Sequence, residues 1–232
     1  MDPEITLTGG RTTPGVVRVG NTVRRPIPAG DSLTPELLRH LESRGFSGAP
    51  RYIGVDSAGR EILSYVPGSV PAELGHFPDT QISAAARLLR QFHDATLDCA
   101  LREDCEVVCH GDASPCNCVF AEGIPTAFID FDHAHPGSRL DDLGYAAWLW
   151  IDIGNDELDV HRQGQRVAAF FRSYGLDAGD AIQSIISAQE RLAERTSSGG
   201  VRDWAVCCRA WVEANRAGIS AAIEEAEKQS WS

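Results

Sequence analysis

Four oxygen-bearing side chains stand in a suggestive order near the middle of the chain. Asp112 follows His110 and Gly111, Asn117 comes shortly after, and Asp130 and Asp132 close the apolar run Ala127-Phe128-Ile129. Phosphoryl transfer from a nucleotide needs a carboxylate to orient an attacking hydroxyl and take its proton. It also needs an amide oxygen for a divalent cation and a second carboxylate joining that cation to the phosphates. Asp112 is thus the expected base and Asn117 a metal ligand. Asp130, pushed out at the end of an apolar strand, is the expected main ligand. If the strand continues, Asp132 faces the same way as Asp130 and adds a further one.

Other chemistries for this stretch are weaker. Cys109, Cys116 and Cys118 with His110 suggest a zinc site, but their spacings match no common closed zinc pattern. His133 and His135 suggest a metallohydrolase, yet the pattern does not recur as such a site requires. Small buried hydrophobes are the expected role of the cysteines, and a satisfied core histidine that of His93.

The elements that must hold these groups fall into two kinds. Ile5–Leu7, Gly15–Val19 and Thr22–Arg25 are short β-branched runs separated by turn residues. Thr34 is the expected N-cap of a helix with Pro35 at its first position and Leu37, Leu38 and Leu41 on one face, ended by Gly45. Tyr52–Val55 and Glu61–Val66 flank Asp56-Ser57-Ala58-Gly59 and predict a hairpin. Pro67-Gly68 marks a hinge. Beyond it, Ile82 to His93, Ala181 to Leu192 and Val201 to Val212 repeat at helical spacing. The expectation is an α+β fold, with a small antiparallel N-lobe over residues 1–66 and a mainly helical C-lobe over 67–232.

His110-Gly111-Asp112, Asn117, Ile129-Asp130-Phe131-Asp132, Pro136-Gly137 and Asp142-Leu143-Gly144-Tyr145 carry a family resemblance. Over roughly residues 60 to 150 the chain resembles the aminoglycoside phosphotransferase and choline kinase-like superfamily. Its His-x-Asp-x-x-x-x-Asn spacing is also that of the protein-kinase catalytic loop, whereas Gly111 and the Asp-Phe-Asp run depart from it. The resemblance implies a two-lobed, protein-kinase-like fold, ATP or GTP as donor, Mg2+, and a hydroxylated small molecule as acceptor. It also implies that His110 braces the catalytic loop, that Asp142 does likewise, and that Ser64, Tyr65 and Val66 read the purine edge. A glycine-rich loop over Gly9–Gly15, with Thr12 and Thr13, would cover the nucleotide.

The phosphate grip departs from the kinase pattern. Kinases anchor the phosphates with a strand lysine, and the one lysine here is Lys228. Arginine can do this work bidentately. Aligning Val23-Arg24-Arg25-Pro26 with the family's basic strand favours Arg24. Strand alternation favours Arg25, since Val23 then packs on the adenine. Glu36 and Glu42 are the expected helix acids to pair with it.

Composition narrows the partners. The net charge is −12, with 8 basic against 7 acidic residues over 1–66 and 13 against 26 over 67–232. An acidic second part disfavours nucleic acid and attracts cations, with Asp152, Asp156, Glu157, Asp159, Glu190 and Glu194 as candidate contacts. No apolar run is long enough to span a membrane, and seven cysteines make an odd count that fits reduced thiols. The expected protein is cytoplasmic: a kinase of an aminoglycoside-like cation, or of a choline or amino-sugar metabolite. The alternative is a catalytically weak nucleotide-binding protein of the same fold.

Overall fold

The computed structural model describes residues 3–7, 15–28 and 33–229. Its first part is a five-stranded antiparallel sheet of β1 (Glu4–Thr6), β2 (Val17–Val19), β3 (Thr22–Pro26), β4 (Tyr52–Val55) and β5 (Arg60–Ser64). The order is β1-β2-β3-β5-β4, so β3 and β5, distant in sequence, lie side by side with Arg25 opposite Glu61. The helix between them, α1 (Thr34–Ser43), buries Leu37, Leu38 and Leu41. Its entry differs from the sequence expectation: Leu33 is the N-cap and makes no side-chain cap bond. The Thr34 hydroxyl instead donates to the carbonyl of Phe131, 3.1 Å away. A residue expected to start a helix locally therefore ties α1 to the segment that carries Asp130.

Six helices follow among the described residues: α2 (Asp79–Ala95), α3 (Arg139–Ile151), α4 (Val160–Tyr174), α5 (Ala181–Arg195), α6 (Gly199–Ala214) and α7 (Arg216–Gln229). The helical periodicity predicted α2, α5 and α6. It missed α3, whose Leu143 and Ala146–Ile151 are all buried and leave no polar face to reveal a period. Between α2 and α3 lie two small antiparallel pairs. One joins β6 (Val107–Cys109) to β9 (His135–Gly137), and the other is the hairpin of β7 (Cys118–Ala121) and β8 (Ile124–Phe128). The catalytic-loop motif connects β6 to β7, and the Asp-Phe-Asp run connects β8 to β9.

α3 is the central strut. Ser138 and Asp141 form a capping box at its N-terminus, satisfying backbone donors that would otherwise be orphaned. It lies against α5, while α4 packs on α2 and α7. Trp148, Trp150, Phe170 and Phe171 are almost wholly buried in the same core that receives the α1 leucines. Each such side chain contributes about 1.5–3 kcal/mol relative to exposure. Among the described residues no helix is long and apolar enough to cross a membrane.

The α3–α5 approach depends on Gly144, where a Cβ would sit 2.2 Å from the carbonyl oxygen of Ser184. Because the obstruction is backbone, Gly144→Ala is expected to destabilise the protein by ~1–3 kcal/mol, the usual cost of overpacking. Denaturant unfolding of the two forms checks this; equal midpoints would mean that the helices separate freely.

Candidate active site

The catalytic loop is held from several directions, mostly by α3. Asp142, 1% exposed, accepts from the backbone N–H of His110 at 2.6 Å and of Gly111 at 2.9 Å. The buried indole of Trp150 donates to the carbonyl of Ala113 at 3.0 Å. Tyr145 donates its hydroxyl to Asp112 Oδ1 at 2.9 Å. Arg195, at the end of α5, donates to the carbonyl of Gly111 at 3.3 Å and lies over the Tyr145 ring. Donors therefore fix both the backbone and the carboxylate of the expected base.

Gly111 explains the departure from the protein-kinase pattern. Its φ is +76°, and a Cβ would meet the carbonyl oxygen of His133 at 2.2 Å. Only glycine lets the catalytic loop approach the Asp-Phe-Asp segment this closely.

Asp142 is itself fixed by a chain of hydrogen bonds. Arg139 donates to the Tyr174 hydroxyl at 2.7 Å. That hydroxyl donates to His93 Nδ1 at 2.7 Å, and His93 Nε2 donates to Asp142 at 3.0 Å. Because the ionised Asp142 carboxylate only accepts, Nε2 carries the His93 proton, and in the neutral ring Nδ1 accepts from the phenol. Burial alone would raise the Asp142 carboxyl, but His93 and the loop amides outweigh it and hold the group below the ordinary carboxylate range. Burial pushes the Tyr174 phenol up to about 12. His93 is thus the satisfied core histidine that its apolar surroundings predicted, fully buried with both nitrogens bonded.

His110 is also fully buried. Its Nε2 lies 3.1 Å from the carbonyl of Ile129 and its Nδ1 accepts from the backbone of Asp112. Burial lowers its pKa, which favours the neutral ring that this pattern needs. These contacts link Asp112 to the strand leading into Asp130 and engage both ring nitrogens.

Asp130 and Asp132 do not alternate along one strand as expected. Asp130 is left-handed, with φ 64° and ψ 67°, and Phe131–His133 form a 3-10 turn. The two carboxylates nevertheless converge on one guanidinium: Arg25 Nη1 is 3.4 Å from Asp130 and Nη2 is 2.6 Å from Asp132. Burial, and then the Asp132 charge, raise the Asp130 carboxyl above its ordinary range. Asn117 donates its amide to the carbonyl of Asp112 at 3.1 Å.

The two neighbouring arginines have different partners. Arg24 bonds Thr22 at 2.6 Å and lies 3.8 Å from Asp56, away from the acids. Arg25 shares its face with Val23, and both line a cavity of about 390 Å³. Ser64, Tyr65, Val66, Asn117 and Asp130 line it too, so the hinge and metal-ligand candidates surround one space. Neither expected helix acid pairs with Arg25: Glu36 and Glu42 are exposed, and Glu42 lies 3.7 Å from Arg51. The acid found there is Glu61 of β5, with Oε2 2.8 Å from Arg25 Nε. Thr12 and Thr13 lie outside the described residues.

The cysteines do not assemble the zinc site. Among the described residues the one gathering of possible metal ligands is His93, Cys109 and Asp142, which excludes His110, Cys116 and Cys118. Its members are already engaged, with the Cys109 thiol 3.2 Å from the carbonyl of Ser138. His133 and His135 are exposed.

Sequence reasoning missed Glu61, Arg195 and Trp150, and gave Tyr145 no role of its own. None carries a local signal, because each acts through a contact made far away along the chain.

The family described as "Phosphotransferase enzyme family" matches residues 84–181, the stretch bearing the catalytic loop and Asp-Phe-Asp. The trifolitoxin immunity protein of Rhizobium leguminosarum bv. trifolii is 30% identical over 263 residues, spanning 96% of this chain and 100% of that protein. Among solved structures, a choline/ethanolamine kinase family protein from Mesorhizobium loti superposes with a TM-score of 0.61 at 16% identity, over 95% of this chain and 92% of that one. The GDP complex of aminoglycoside 2'-phosphotransferase-IIIa superposes with a TM-score of 0.56 at 15% identity, over 97% and 93%. These two likenesses show the kinase-like fold. The family match and the relative aligned along its full length make this chain a member of the phosphotransferase enzyme family.

Proposed function

We propose that the chain transfers the γ-phosphate of ATP or GTP, with magnesium, to a hydroxyl of a small cationic molecule in the cytoplasm. An N-lobe of residues 1–66 would grip the phosphates and a C-lobe of 67–232 would hold the base, the metal and the acceptor. The observation that carries the reading is Asp112. One of its oxygens is held by Tyr145, and its backbone is bonded to Asn117 at the rim of the Arg25–Asp130 cavity. Among the described residues its second oxygen accepts no hydrogen bond, which suits a group that must receive a proton from the acceptor.

The residues present fit magnesium. Asn117, Asp130 and Asp132 offer oxygen, the donor this ion takes, and two of them already converge on a single positive charge. When bound, the ion joins phosphate oxygens and neutralises the charge that develops on them. In this reading Asn117, Asp130 and Asp132 hold the ion and Arg25 holds phosphate oxygens. Asp112 orients the acceptor hydroxyl and takes its proton, and His110 and Asp142 keep the loop in place.

A second cavity supports a cationic acceptor. It has a volume of about 410 Å³ and is lined by Asp152, Asp156, Asn155, Trp204, Trp211 and Cys207 among others. Tyr145 and Trp148 follow one another along α3 and Asp152 is its C-cap, and seven helical residues span ~10 Å. The ring of Trp148 lies 6.1 Å from that of Tyr145 and stacks on Trp204 at 4.6 Å. A molecule seated between the two acids and the tryptophans would reach toward Asp112 along this face. Carboxylates and indole faces both favour cations. Of the other candidate contacts, Asp159 caps α4 and Glu190 bonds Arg209, so both are otherwise engaged. The relative is named as an immunity protein against trifolitoxin. Phosphorylation of a toxic amine-bearing compound would give protection of that kind, and supports an antibiotic-like acceptor over a metabolite.

The screen that tests this offers magnesium and ATP or GTP with aminoglycosides, amino sugars, choline and homoserine, and reads nucleotide turnover. Turnover with a cationic member is expected. Nucleotide binding without turnover would favour the catalytically weak reading. Turnover of choline or an amino sugar alone would move the acceptor to a metabolite.

With an acceptor in hand, Asp112→Asn is expected to lower turnover by ~10²–10⁴ with nucleotide affinity nearly intact, because a general base acts only in the transition state. Asp130→Ala should weaken magnesium-nucleotide binding as well. Full activity in both variants would remove the site assignment.

Asp152→Asn and Asp156→Asn should each raise the acceptor KM about fivefold, equivalent to ~1 kcal/mol for a partly exposed ion pair. The wild-type KM should climb with salt as the Debye length shortens from its ~8 Å at physiological ionic strength. A flat salt response, or unchanged KM in both variants, would place the acceptor elsewhere.

A further inference from the structure

Resting on the nucleotide reading above, we infer that Glu61 is the positioning residue of the phosphate grip, a part taken over by the sheet from the helix. Arg25 and Glu61 are direct cross-strand partners on β3 and β5, and their side chains meet at 2.8 Å. Both are deeply buried, at 6% and 2% exposure. Glu61 engages Nε, on the inner edge of the guanidinium, and leaves the two terminal nitrogens pointing at Asp130 and Asp132. A planar guanidinium bonded at Nε is restrained about its stem, which orients its outer fork. That fork is the part able to bind a phosphate bidentately.

The helix is not available for this work. Glu36 and Glu42 are exposed, and α1 is fastened to the Asp-Phe-Asp segment through Thr34 rather than to Arg25. A strand-held pair also differs in behaviour from a helix-held one. Adjacent strands keep their register through backbone hydrogen bonds, so the grip exists before any helix moves and does not depend on where α1 sits. The same geometry explains why arginine is used. A lysine ammonium is a single point on a flexible stem and would have to choose between Glu61 and the acids beyond it.

A double-mutant cycle on nucleotide affinity tests the assignment, using the full chain, direct binding of ADP with magnesium, and thermal melting as a check on folding. Glu61→Gln is expected to weaken ADP binding about tenfold, and to add nothing in an Arg25→Met background, because Glu61 acts through Arg25. Where an acceptor is known, KM for the nucleotide should rise more than kcat falls. Glu61→Asp keeps the charge but withdraws it by one methylene. It runs the same cycle should Glu61→Gln not fold, with a smaller loss of the same pattern expected. A folded Glu61 variant with unchanged ADP affinity, or an equal loss with and without Arg25, would overturn this inference alone. A wild-type protein that binds no nucleotide would overturn the functional reading and this inference together.

Discussion

The buried carboxylate of Asp142 is the constraint on which the site depends. It takes two backbone N–H groups from His110 and Gly111 and a third bond from His93, and is 1% exposed. A charged group so far from water is tolerable only when its oxygens are fully engaged. Here the engagement defines the geometry: the partners of Asp142 bring α2, α3 and the loop after β6 to one point. The chain through His93, Tyr174 and Arg139 carries the requirement to the surface, where Arg139 bonds Asp94 and Glu106. Removing one member would strand the others, so the network resists partial disorder.

From that point the rest of the cleft is assembled by close approach. Gly111 lets the loop touch the Asp-Phe-Asp segment, and Thr34 ties the same segment to α1. Asp130 is held in a left-handed backbone that a non-glycine residue adopts at a cost of order 1–3 kcal/mol. Its carboxyl, raised by burial and by Asp132, faces Arg25 across the cleft. Like charges brought together beside one arginine form an arrangement that a divalent cation would relieve. Asp130, Arg25 and the segment Ser64–Val66 thus surround one cavity.

Much of this was legible in the sequence, and the part that was not has a common cause. Asp112, Asn117 and Asp130 could be grouped as candidates because they lie close together along the chain, on either side of one short hairpin. Val23 and Arg25 could be placed on one side because a strand alternates. Glu61 could not be paired with Arg25 without knowing that β5, and not β4, lies next to β3, which is a fact of sheet order. The strand expected to run on to Asp132 stops because Asp130 reverses the backbone, although the two carboxylates still meet at Arg25. α3 escaped detection because burial on all sides erases the helical period, although it supplies Asp142, Tyr145 and Trp150. Thr34 was assigned to its own helix because capping is a local rule, and a contact with Phe131 is not.

The central claim is that the braced loop makes Asp112 competent without contributing to the nucleotide grip. It is tested most directly by single-turnover transfer and equilibrium nucleotide binding measured side by side on Asp142→Asn, at a temperature where melting shows it folded. An amide there presents N–H where the loop needs an acceptor, so the loop should loosen while Arg25, Glu61 and the hinge stay as they are. The account predicts a transfer rate at least tenfold lower, with nucleotide affinity within about twofold of wild type. An unchanged rate, or a loss of affinity that matches the loss of rate, would contradict it.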